Sequence, residues 1–168
     1  MILLLTMIVI LLLLGACQSG PETRPVKEPT MTISYETDAI KLGKLIELPM
    51  PPLEARWQTT EKGVRTAGIG PTDFELVAIL EFADAAILQL EKQMVEQTNP
   101  SVVYVAKTFV QSWFPETIRE AFVVDDLYPD YLRLAARRFQ PELFAKGSLQ
   151  DGYVVIVGNQ VLLYLHTM

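Results

Sequence analysis

The sequence predicts an α+β domain: a largely antiparallel sheet with helices on one face and a C-terminal β-hairpin. Three observations carry this. Residues 76–80, Leu-Val-Ala-Ile-Leu, are apolar on both faces and bounded by Glu75 and Glu81, the pattern of a strand lying centrally in a sheet. After Asp84, the residues Ile87, Leu90 and Met94 recur at helical spacing. Near the end, 153–157 and 161–166 flank Gly158-Asn159, two residues that tolerate the positive φ of a tight hairpin turn. Strands, then helices, then strands is the order of an α+β layer arrangement.

Taken in chain order, 31–35 and 44–48 alternate apolar and polar residues and read as short strands near an edge, the second stopped by Pro49, Pro51 and Pro52. A third candidate, 54–60, surrounds Trp57. With Arg56 and Gln58 beside it and a proline-rich loop nearby, Trp57 reads either as core or as an exposed interaction residue, whereas Trp113 sits on an apolar stripe and reads as core. Residues 61–72, with Gly63, Gly68, Gly70 and Pro71, form a loop leading into the central strand. Asp84 is expected to cap a helix running to Gln97, ended by Asn99-Pro100. Val102, Ala106, Phe109, Val110 and Trp113 recur at helical spacing and predict a helix over 101–114. Pro115 opens a short helix to Phe122, and 130–139 forms another before Pro141.

The chain has 168 residues and a net charge of −6, with a pI near 4.8. That charge argues against nucleic acid as a partner, because a phosphate backbone is bound by clustered Lys and Arg. A single cysteine, Cys17, forms no internal disulfide.

The first residues differ from the rest. Residues 2–14 are apolar except for Thr6, and Gly15, Ala16 and Cys17 follow at once, then Gln18, Ser19 and Gly20. The run falls short of the roughly 20 apolar residues that cross a bilayer, and small residues before a cut suit a signal peptidase. Leu14-Gly15-Ala16-Cys17 resembles the lipobox of bacterial lipoproteins, in which the cysteine thiol receives a diacylglyceryl group and becomes the first mature residue. The resemblance covers residues 1–17 only, and it departs from the pattern in lacking an early Lys or Arg. It implies a signal peptide over 1–16, lipidation at Cys17, and a location in the cell envelope. With Gln18 rather than Asp after the cysteine, it also implies the outer membrane, facing the periplasm, if the host is Gram-negative. Each buried CH₂ contributes about 0.8 kcal/mol, so two or three acyl chains anchor where one would not. Residues 17–30 hold three prolines, mixed charges and no apolar periodicity, and read as the lipidated cysteine with a flexible tether. Residues 31–168 remain as one α+β domain.

Catalytic templates find little purchase. There is no Gly-x-Ser-x-Gly, Cys17 is committed to lipid, and the sole histidine, His166, is expected to be an ordinary edge-strand residue. With one histidine and Cys17 committed, a zinc site would have only carboxylates for its remaining ligands. Asp125, Asp126 and Asp130 lie close together near Tyr128 and are weak metal candidates, better read as caps for the helix expected over 130–139. Glu116 and Glu120, with Arg119 between them, read as a solvated helix face. Arg133, Arg137 and Arg138 form a basic edge on the expected 130–139 helix, and with Arg119 and Trp57 they are the candidate interaction residues. No cofactor is expected. The functional expectation is a non-enzymatic module held to the membrane by lipid and binding an envelope protein. The alternative is a domain that binds a metal or ligand, or acts as an enzyme, through its carboxylates.

Overall fold

The computed structural model describes residues 34–62, 73–97 and 102–167, and residues 34–168 cluster as one compact unit. The leader, Cys17, the tether, 31–33, most of the glycine loop and Asn99-Pro100 lie outside the described residues. Among those described, no helix is long and apolar enough to cross a membrane.

Alternation of side chains builds the main sheet. Strands β1 (Glu54–Lys62), β2 (Asp73–Glu81), β7 (Asp151–Val157) and β8 (Gln160–His166), with the short β6 (Arg138–Phe139), pair antiparallel in the order β1-β2-β8-β7-β6. Because successive side chains leave opposite faces, Leu76, Ala78 and Leu80 join Val161, Leu163 and Leu165 on one side. Ile79 joins Leu162, Val155 and Tyr153 on the other, with Val77 and Tyr164 partly buried against them. β2 and β8 are thus covered on both faces. The run 76–80 does lie inside the sheet, flanked by β1 and β8. The C-terminal hairpin forms as expected, with Val157 opposite Gln160 and Gly158 at φ 60° in the two-residue turn.

The first face is covered by helices α1 (Ala39–Leu45) and α2 (Asp84–Gln93). In α1, Asp38 Oδ1 accepts hydrogen bonds from the amides of Ile40 and Lys41 at 2.8 and 3.0 Å, and Leu42 and Ile46, four apart, are fully buried. This corrects the strand expected over 44–48, whose alternation also fits one apolar position per helical turn. In α2 Asp84 is the first helical residue, not the cap, and the helix stops at Gln93 instead of Gln97. Residues 95–97 leave it to lie beside β6: Gln97 N donates to Arg138 O and Gln140 N to Val95 O, both at 2.8 Å.

The second face carries a layer that the sequence reading did not foresee. β3 (Val102–Ala106), β4 (Phe122–Val124) and β5 (Tyr131–Ala135) form an antiparallel sheet in the order β3-β5-β4. The helix expected over 101–114 is instead β3 followed by a 3-10 turn, Lys107–Phe109; the β-branched Val103 and Val105 point inward two residues apart. The helix expected over 130–139 is β5 and β6: Leu132 and Leu134 face the core while Arg133 faces water, and pairing to β3 and β4 overrides helix propensity. Between them α3 (Glu116–Glu120) is the short helix expected after Pro115. The whole is α+β and largely antiparallel, with α1 and α2 together on one face of the main sheet.

Candidate functional site

Two surfaces concentrate functional side chains. The first is a cleft of about 430 Å³ between the second face of the main sheet and the β3 segment. Its floor follows from strand register. Gln58, Thr60 and Lys62 alternate along β1, and Glu75 and Tyr164 stand on the neighbouring strands on the same side. Glu75 Oε1 accepts from Lys62 Nζ and from the Tyr164 hydroxyl, each at 2.6 Å. Burial pushes the Glu75 carboxyl up, but the hydrogen bonds from Lys62 and Tyr164 and the nearby positive charge outweigh it, so the group lies below its ordinary value. Tyr164 and Tyr153 are both pushed up, first by burial, and Tyr164 further by its bond to Glu75, so both remain neutral phenols through the physiological range. At the other end Trp113 Nε1 donates to Gln58 Oε1 at 3.3 Å, and Tyr35 stacks on the Trp113 ring at 5.4 Å.

The second surface is the solvent side of the three-stranded sheet. Tyr104, Arg133 and Val123 stand in one cross-strand row, and Ala106 with Tyr131 forms the next. Tyr104, Val123 and Tyr131 are each close to half exposed, and Leu127 and Tyr128 extend the patch through the β4–β5 turn. The Arg133 side chain has no ion-pair or hydrogen-bond partner among the described residues. Exposed tyrosines around an unpaired arginine have the composition of an interface centre.

The candidate residues from the sequence scatter. Trp57 is buried, 6% exposed, in the core beneath α1, with its indole N–H donating to Asp38 O at 3.2 Å; the exposed alternative is corrected because β1 turns this position inward. The arginines do not share a helix. Arg133 is on β5. Arg137 binds Glu96 at 2.9 Å and Glu91 at 3.4 Å, and Arg138 lies over the Tyr153 ring at 5.0 Å. Arg119 is exposed on α3. Asp125 is buried and closes the β4–β5 turn, its Oδ1 accepting from Leu127 N at 2.9 Å and Tyr128 N at 3.0 Å, so it ties a hairpin instead of capping a helix. Asp126 and Asp130 are exposed beside it, and among the described residues no group of three or more His, Cys, Asp or Glu is placed to hold a metal ion. His166 ends β8, the middle strand of five, so it is not on an edge; its Nδ1 lies 3.0 Å from Thr167 O.

Sequence reasoning missed Lys62, Glu75, Tyr153 and Tyr164. Their signal was parity: polar residues at alternate strand positions, visible as one group only once the register is known. Compared with protein-family models, with curated proteins and with solved structures, the chain matches none.

Proposed function

We propose that this is a lipid-anchored lipoprotein of the cell envelope whose domain binds another envelope protein and catalyses no reaction itself. The lipobox-like Leu14-Gly15-Ala16-Cys17 supports the anchor, with the mature chain starting at Cys17 and, in a Gram-negative host, held on the outer membrane facing the periplasm. The binding reading rests on one observation: the exposed row Tyr104–Arg133–Val123 on the outer sheet. An arginine without a carboxylate, set among half-exposed apolar and aromatic side chains, fits a partner that brings an acidic residue ringed by apolar surface. The partner is therefore a protein with a carboxylate at the centre of its contact.

The test is a double substitution, Arg133→Glu with Val123→Asp, in the full chain. Loss of a crosslinked partner in intact cells, with unfolding unchanged, is the expected result. An unaltered crosslink would overturn the reading.

A further inference from the structure

β3 is an outer strand of its sheet, and Tyr104, Val105 and Ala106 all line the cleft. Side chains alternate in direction along a strand, so three consecutive lining residues mean that the main chain itself borders the space. The register identifies which groups face it. Lys107 N donates to Asp130 O at 3.3 Å, and these two residues continue the pairing that sets Ala106 opposite Tyr131. Antiparallel ladders alternate bonded and non-bonded pairs, so the bonded pairs are Val105–Leu132 and Val103–Leu134. The N–H and C=O of Tyr104 and the N–H of Ala106 consequently point away from β5, whereas the Ala106 C=O opens the 3-10 turn. Among the described residues nothing is shown bonding to the first three groups.

Of the other edges among the described residues, β6 is flanked by 95–97, β4 has three residues, and β1 is bridged by Glu36 only at Trp57. Native folds close such edges because unpaired strand backbone recruits other strands. The β3 edge runs beside a cleft with a polar floor.

We propose that the free edge of β3 is a strand-addition site and that the cleft takes an extended peptide segment of the partner protein; this rests on the protein-binding reading above. A polypeptide is the ligand class whose donors and acceptors repeat at the strand interval, about 6.6 to 6.8 Å for every second residue, so it alone matches Tyr104 and Ala106 together. Alternate side chains of the segment face the floor. The cleft suits an apolar one over Val77 and Phe109 and a polar one at the Lys62–Glu75 pair.

Ala106→Pro isolates the claim. Ala106 has φ −62° and ψ 148°, values proline adopts, and the N–H lost is the one aimed at the cleft, so the β3–β5 ladder keeps its bonds. Heptapeptides selected from a displayed random library on the full chain in detergent are the probes, titrated as synthetic peptides. Ala106→Pro should weaken them by about tenfold or more, and Arg133→Glu by less than about twofold. N-methylation of the alternate peptide amides that pair with β3 should weaken binding likewise, and methylation of the interleaved set should not. This arm decides the matter even if Ala106→Pro unfolds. Failure to select any peptide, or binders indifferent to both the proline and the methyl groups, overturns the proposal. Either result, with the in-cell crosslink still lost in the Arg133→Glu/Val123→Asp chain, removes the strand site alone. Peptide binding at β3 without any crosslink removes the outer-face reading alone.

Discussion

Tyr164 donates its hydroxyl to Glu75 Oε1 at 2.6 Å, diagonally across the β8–β2 pair, and the same oxygen accepts from Lys62. One carboxylate thereby ties three strand positions at the mouth of the cleft. A carboxyl held below its unfolded value contributes stability that is fully present above that value, 4.5, and is lost as pH falls through the lower folded value. Glu75→Gln is expected to flatten the loss of stability below pH 4.5 while lowering stability at neutral pH. Unfolding midpoints measured across the acid range, wild type against variant, check this; parallel curves would contradict it.

Gly152 has φ 140°, and a Cβ there would lie 1.9 Å from Tyr164 O. The β7 backbone passes β8 too closely for any side chain. Gly152→Ala should cost more than about 3 kcal/mol, or prevent folding, because strain and overpacking coincide. Urea unfolding measures it, and a change under about 0.5 kcal/mol would refute the close approach.

Adjacent residues on β8 test the two-sided burial of the main sheet. Leu163 faces α1 and α2, Leu162 faces the three-stranded sheet, and neither is exposed. Each Leu→Ala change is expected to cost about 2–5 kcal/mol by denaturant unfolding. A sheet bare on its second face would make Leu162→Ala nearly neutral.

That second layer marks where the sequence stopped being legible. The Gly158-Asn159 hairpin and the 76–80 strand were readable because local chemistry, a positive φ in one and apolarity on both faces in the other, decides them. β3 and β5 were not. Val102, Ala106, Phe109 and Val110 satisfy a helical spacing as well as a strand followed by a turn, and 130–139 carries helix formers whose state is set by strands tens of residues away. The arginine cluster went with the helix that was to carry it. Of the three, Arg133 alone is left without a side-chain partner, because its strand turns it outward. Trp57, open between core and surface from its sequence neighbours, is buried by the packing of α1, and Asp125, read as a cap for a helix, is buried in a turn between strands.

Asp125 offers a local test. Asp125→Ala removes both hydrogen bonds that close the β4–β5 turn and should cost about 1–2 kcal/mol, with Asn recovering most of it. Calorimetric unfolding of the three chains reads this. A larger loss for Asn than for Ala would contradict the turn role.

The proposed anchorage rests on Cys17. Fatty-acid labelling in cells is expected to mark the wild-type chain and not Cys17→Ala, which should leave the membrane fraction; equal label in both would contradict lipidation at this residue.

The central claim is that the outer face of the three-stranded sheet meets a protein in the envelope. A photo-crosslinking amino acid placed singly at Tyr131 or Leu127, with Leu88 on α2 as the exposed control, tests it in intact cells. The expected result is one reproducible adduct from both sheet-side positions, absent from position 88 and lost on Arg133→Glu. No adduct from either position, or the same adduct at position 88, would contradict the account.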